Sequence, residues 1–145
     1  MYIREIMTAR PITVAPEEAV STAARLLSRC NLGALPVTDR GGRLRGIVTD
    51  RDITVRCVAL ENDPQKTKVS EIMSRGIATA APGDSVESAA ARMAKEQVRR
   101  LPVTENERLI GMVSLSDLAR CAESRRASAE ALGSISANVL RRGDF

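Results

Sequence analysis

Gly46-Ile47-Val48-Thr49-Asp50-Arg51-Asp52 and, 65 positions on, Gly111-Met112-Val113-Ser114-Leu115-Ser116-Asp117 follow one pattern. Each has a glycine, two apolar residues, a hydroxyl and an acid three residues after it. The likeness continues at an offset of 66, where Leu35-Pro36-Val37-Thr38 returns as Leu101-Pro102-Val103-Thr104. Val20, Ala23 and Ala24 return as Val86, Ala89 and Ala90, Ala15-Pro16 as Ala81-Pro82, and Glu5-Ile6-Met7 as Glu71-Ile72-Met73. The change of offset marks a loop one residue shorter in the second copy. Two copies of this size imply a closed pair rather than a long solenoid, and sites tend to form where such units meet.

Each copy reads as β-α-β-β-α, an α/β (α+β) fold. Pro11-Ile12-Thr13-Val14 predicts a short strand, with Pro16 at the first helical position, where its missing N–H costs nothing. Val20, Ala23, Ala24 and Leu27 give the apolar stripe of a helix over 18–30, echoed by Val86, Ala89, Ala90 and Met93. The alanines predict close approach to a neighbour. Leu35–Thr38 and Leu44–Val48 read as a hairpin about Asp39-Arg40-Gly41-Gly42, whose glycines supply positive φ. As a phosphate loop Gly41-Gly42 fails, because the Lys-Ser/Thr pair is missing. The organisation is repeat 1 over 1–60, a polar linker over 61–70, repeat 2 over 71–123 and a tail over 124–145. Leu132, Ile135 and Val139 form a thin stripe in that tail, and Gly133 weakens a helix there. Docking on a partner subunit and remaining mobile both stay open.

Composition narrows the chemistry. The 145 residues hold one Tyr, one Phe and no Trp, so the core is aliphatic. The formal charge of +4 suits a solvated surface or a local anion-binding patch. No apolar run approaches a membrane span and no signal-peptide stretch opens the chain, which predicts a cytoplasmic protein. Cys30, Cys57 and Cys121 lack CxxC spacing and read as buried free thiols. With no histidine, His-containing zinc sites and His-dependent catalysis are excluded. No metal site, catalytic residue or catalytic cofactor is expected.

Thr49-x-x-Asp52 and Ser114-x-x-Asp117 admit two readings. As capping boxes they satisfy orphan N–H groups at a helix start. As ligand residues they combine a helix N-terminus that favours phosphate with a hydroxyl and a carboxylate able to accept from ribose. Arg99-Arg100 likewise pairs with Glu105 or Glu107 on a bland reading, or forks onto a phosphate. The first copy has Gly33-Ala34 there, so two sites would differ in affinity.

The doubled series resembles a tandem pair of cystathionine-β-synthase (CBS) domains, a Bateman module. It covers about residues 3–122: Ile-Met-Thr/Ser, x-Thr-x-Ala-Pro, Leu-Pro-Val-Thr, then Gly-apolar-Val-Thr/Ser-x-x-Asp. Gly46–Ile53 further resembles small stand-alone bacterial members, including the hypoxic-response type. The resemblance implies two repeats packed about a pseudo-two-fold axis, binding AMP, ADP or ATP, or S-adenosylmethionine in some members. It joins Thr49 and Asp52 to Thr79, Val98, Arg99 and Arg100 in one site, and Ser114 and Asp117 to Thr13, Leu32, Gly33 and Ala34 in another. Asp would hold ribose, Thr or Ser a phosphate, and arginines the remaining charge, with Arg51 and Arg56 within possible reach. Adenine would lie between aliphatic side chains such as Val98 and Ile47. A homodimer and a separate regulated protein are also implied.

The function expected is thus a nonenzymatic sensor of adenine nucleotides. Its alternative is a structural or protein-interaction module with vestigial sites. Nucleic acid is disfavoured despite Arg125-Arg126 and Arg141-Arg142, for want of a reading helix or stacking aromatics.

Overall fold

The computed structural model describes the backbone of residues 1–142 and side chains through residue 137. Its elements are α1 (Ile3–Ile6), β1 (Thr8–Ala9), α2 (Val20–Cys30), β2 (Ala34–Thr38), β3 (Leu44–Thr49) and α3 (Asp50–Ile53), which runs into a π-helical turn over Thr54–Val58. After these come α4 (Val69–Ile72), α5 (Val86–Glu96), β4 (Arg100–Glu105), β5 (Arg108–Ser114), α6 (Leu115–Arg120), a short 3₁₀ turn over Ala122–Ser124 and α7 (Arg125–Arg142).

Two compact units result, and each takes its opening segment from the other half of the sequence. The first comprises Pro11–Ile77 with Glu107–Leu109. The second comprises Met1–Arg10, Ala78–Asn106 and the described residues from Ile110 on.

In the first unit β2 and β3 pair antiparallel, with Ala34 opposite Thr49 and a register shift at Val37/Thr38. The turn between them is tied by Asp39, whose Oδ1 accepts from the Gly41 and Arg43 N–H groups, and Gly42 supplies the positive φ of 79°. Apolar positions of α2 meet this hairpin: Val20, Ala23, Leu35, Val37 and Val48 are fully buried, as are Cys57 and Val69. In the second unit β1, β5 and β4 form a three-stranded sheet, backed by the fully buried Ile3, Val86, Ala89, Met93, Leu101, Val103 and Leu118. A fully buried side chain of this kind is worth about 1.5–3 kcal/mol. Ile3 and Val69 therefore carry the driving force that draws each opening segment into its unit.

The glycines of the repeated pattern permit that docking. A Cβ on Gly46 would stand 2.5 Å from the Ser74 carbonyl oxygen, and one on Gly111 would stand 2.5 Å from Met7 Sδ and 3.0 Å from the Thr8 oxygen. The repeated glutamates start α1 and α4: the Tyr2 N–H donates to Glu5 Oε2 at 2.6 Å, and the Lys68 N–H to Glu71 Oε2 at 2.7 Å.

Four expectations change. The strand predicted over Pro11–Val14 contracts to a single parallel bridge, Val14 to Val37, repeated as Ala80 to Val103. Val14 spends both backbone groups on β2, receiving the Thr38 N–H and donating to the Pro36 oxygen, while the flanking residues turn away. Pro16 lies in a turn before α2 rather than at its first position, and that helix opens at Val20 with Ala19 as its cap. Cys57 and Cys121 are buried free thiols as predicted, whereas Cys30, at the last position of α2, is half-buried. The tail is helical through Gly133 and packs on its own chain, burying Ala131 and Ile135. Ser124 Oγ and Ser128 Oγ, both buried, donate to the Leu118 and Leu115 carbonyls. The Val139 side chain lies outside the described residues.

Candidate functional site

Each repeated pattern leaves a strand and starts a helix. Thr49 and Ser114 are both extended, with φ near −117° and −115°, and cap α3 and α6. The Asp52 N–H donates to Thr49 Oγ1 at 3.0 Å, while Asp52 Oδ2 accepts from the Thr49 N–H at 2.9 Å. Ser114 and Asp117 repeat the arrangement at 3.1 and 2.8 Å. Both capping boxes are complete, so each acid has one oxygen committed to the backbone.

The other oxygen faces an arginine. Asp52 Oδ1 lies 3.8 Å from Arg56 Nε, and Asp117 Oδ1 lies 2.6 Å from Arg120 Nη2. The carboxylates are held close to the protein, with side chains 13% and 15% exposed. Each can accept from a hydroxyl at Oδ1 without giving up its cap. The hydroxyls of Thr49 and Ser114 accept from their helices and retain a proton to donate.

The helix N-termini are partly occupied. The first N–H of α3 goes to the Gly33 carbonyl at 3.1 Å, the second to Asp50 Oδ1 at 2.8 Å and the third to Thr49. In α6 the first N–H goes to the Arg99 carbonyl at 2.8 Å and the third to Ser114. A phosphate at α3 therefore meets side chains rather than a vacant ring of N–H donors.

The first unit holds Thr49 and Asp52 together with Thr13, Leu32, Gly33 and Ala34. Ala34 is the strand partner of Thr49, and Thr13 and Leu32 are exposed. The second unit holds Ser114 and Asp117 together with Thr79, Val98, Arg99 and Arg100. Arg99 is exposed and Arg100 and Val98 are half-buried. Neither arginine makes an ion pair among the described residues, since Glu107 pairs instead with Arg43 at 3.7 Å. Arg51 is exposed and likewise without an ion pair among them.

Two arginines near the candidate residues escaped the sequence reading. Arg92 Nη1 donates to the Thr79 carbonyl at 2.7 Å and pairs with Asp84 at 3.0 Å, fixing the backbone at Thr79. The Ala81 N–H, followed by Arg92, holds the Asp84 carboxyl below its ordinary pKa. Arg120 lines an open pocket of about 440 Å³ with Met1, Ile6, Asp117, Cys121 and Ala122. The first copy has Leu26 and Val55 at these two places, and that difference was the available signal. Among the described residues no cluster of Cys, Asp and Glu is arranged to hold a metal, and no helix is long and apolar enough to cross a membrane.

Comparison with known proteins bears on this arrangement. The CBS domain model matches twice, at residues 3–58 and 69–124. A CBS domain-containing protein of Bacillus subtilis, YhcV, is 40% identical over 134 residues, spanning 92% of this chain and 94% of its own. The crystal structure of Hypoxic Response Protein I with two coordinated zinc ions superposes with a TM-score of 0.78 at 33% identity, covering 83% of this chain and 98% of that one. The CBS domain pair of MJ0100, in complex with 5′-methylthioadenosine and S-adenosyl-L-methionine, gives 0.74 at 30% identity, over 83% and 94%.

Proposed function

The chain belongs to the CBS domain family, and from that premise we propose that it is a nonenzymatic regulatory module binding an adenine nucleotide and signalling to a separate protein. The observation that carries the reading is the doubled clamp: a carboxylate fixed by its own helix cap, with its second oxygen turned toward an arginine. Such a group accepts from ribose hydroxyls without giving up its cap. Arg99 and Arg100, without an ion pair among the described residues, suit phosphate, because a guanidinium fork bonds two oxygens at once.

We assign ligand-contacting roles to Thr49, Asp52, Thr13, Leu32, Gly33 and Ala34 in the first unit and to Ser114, Asp117, Thr79, Val98, Arg99 and Arg100 in the second. AMP, ADP and ATP are the favoured ligands, and an adenosine-bearing relative bound to 5′-methylthioadenosine and S-adenosyl-L-methionine supports the class. A cytoplasmic homodimer completes the reading. Ligand binding alters the partner's response only through unequal affinity for two states of the module.

A second reading has its own support. With both capping boxes complete, the repeated acids are accounted for by helix capping, and the chain would be an interaction module with vestigial sites. A thermal-shift titration with AMP, ADP, ATP, S-adenosylmethionine, 5′-methylthioadenosine and GTP separates the two. Ligand at about 100 times its dissociation constant adds about 2.7 kcal/mol, or roughly 5–11 °C at about 2–4 °C per kcal/mol. A rise confined to adenine nucleotides supports the proposal; unchanged melting at millimolar ligand leaves the interaction module.

A further inference from the structure

Asp52 and Asp117 occupy matching places, yet their arginines do not. Arg56 follows its acid by four residues and is tied down: its Nη1 donates to the Ile72 carbonyl at 3.1 Å, leaving Nε 3.8 Å from Asp52, beyond hydrogen-bond range. Arg120 follows its acid by three residues and closes to 2.6 Å. Among the described residues it makes no other hydrogen bond, and its side chain is 74% exposed. The first arginine is anchored to backbone; the second is an arm hinged on one carboxylate oxygen.

We propose that Arg120 is a latch that sets the ligand choice of Asp117. Asp117 Oδ2 accepts from the Ser114 N–H and Oδ1, the oxygen turned away from the cap, already carries Arg120, so a ribose hydroxyl that approaches Oδ1 meets the guanidinium. An uncharged nucleoside has to share or displace the guanidinium and offers it only neutral hydroxyl and ring-nitrogen acceptors in return. A nucleotide offers its phosphate: the arm leaves Asp117 and forks onto phosphate oxygens, exchanging one charge-assisted contact for another. The guanidinium end of the pair is exposed to water, which screens the contact, so opening the latch costs little. Acid and arm line the same open pocket of about 440 Å³, within the range of small-molecule sites. Arg120 thereby supplies phosphate-binding charge beside Asp117 within the second unit. It acts as a gate against adenosine and a receptor for adenosine phosphates. Asp52, whose arginine is anchored, has no such device.

The inference rests on the adenine-ligand reading, and one experiment distinguishes their failures. Adenosine and AMP are titrated calorimetrically into the full-length wild type, Asp52→Asn, and Asp52→Asn carrying Arg120→Gln or Arg120→Lys. Asp52→Asn silences the first carboxylate while keeping its cap acceptor. Arg120→Gln should weaken AMP on the order of tenfold, the loss of a charge-assisted contact, and should tighten adenosine. Arg120→Lys keeps the charge but loses the fork, and should fall between. Changes of the same sign for both ligands, or below about twofold, overturn the latch while leaving the nucleotide reading intact. Wild-type binding that vanishes in Asp52→Asn also overturns it. Wild type indifferent to both ligands overturns the latch and the nucleotide reading together. Because the side chain is exposed, equal melting temperatures of the variants are expected.

Discussion

Replacing Asp52 in two ways separates its service to the fold from its service to a ligand. Asp52→Ala removes both oxygens. The Thr49 N–H then loses its 2.9 Å acceptor at the start of a helix only four residues long, and Arg56 Nε loses the charge 3.8 Å away. Losing a cap of this type costs about 0.5–2 kcal/mol, and the half-exposed ion pair adds about 0.2–1 kcal/mol. Asp52→Asn keeps an oxygen for the Thr49 N–H but turns its amide nitrogen toward Arg56 and toward any ribose hydroxyl. Its stability should stay within about 0.5 kcal/mol of wild type.

Binding should respond the other way. A hydrogen bond to a charged acceptor is worth about 1.5–3 kcal/mol, so both variants should lose roughly 10- to 150-fold in nucleotide affinity at this site. Urea denaturation gives the stability change and calorimetric titration with AMP gives the affinity. An Asn variant that is stable and fails to bind establishes a ligand role beyond capping. An Asn variant that binds AMP as wild type does would refute the reasoning and leave Asp52 as a cap.

Arg99→Ala should weaken ATP by about tenfold or more while leaving adenosine within twofold, since a guanidinium meets phosphate and not nucleoside; parallel titrations check it. Gly46→Ala and Gly111→Ala should each lose about 1–3 kcal/mol in urea melts from overpacking. The Gly46 change should cost more, because its new carbon meets the rigid Ser74 backbone oxygen whereas that of Gly111 first meets the flexible Met7 side chain. Asp84, its carboxyl held low by the Ala81 N–H and then Arg92, contributes stability that is complete above about pH 4. That contribution is lost as pH falls through the depressed folded value, so Asp84→Asn should flatten the acid limb of stability against pH.

Local pattern made the local structure legible. The hairpin turn at Asp39–Gly42, the α2 and α5 stripes and the capping boxes each lie within a window of a dozen residues, where periodicity and turn chemistry act. The exchange of opening segments does not. It depends on Met7 and Thr8 meeting Gly111 and on Met73 and Ser74 meeting Gly46, contacts with no local periodicity. A glycine inside an apolar strand does signal close backbone approach, so Gly46 and Gly111 held the clue. The docking of α7 rests on small residues, Ser124, Ser128 and Ala131, whose polarity reads as solvent exposure until their hydroxyls are seen bonded to α6 carbonyls. How many N–H groups the helix starts leave for a ligand is equally non-local, because the first of each is taken by the Gly33 or Arg99 carbonyl, distant in sequence.

The two copies have kept what the fold needs and changed what it can spare. The hydroxyl and acid of the capping box cannot be altered without exposing the start of a helix, and they are alike in both units. Among the differences are arginines: Arg92 for Leu26, Arg99-Arg100 for Gly33-Ala34, Arg120 for Val55, and Arg51 and Arg56 where the second copy has Ser116 and Cys121. Charges at exposed positions change at a cost usually within about 0.5 kcal/mol, yet each can shift affinity for a phosphate severalfold. Under the nucleotide reading, discrimination between ligands is therefore carried by the arginines around a conserved clamp geometry, and the second unit, holding most of them, carries most of the charge selectivity.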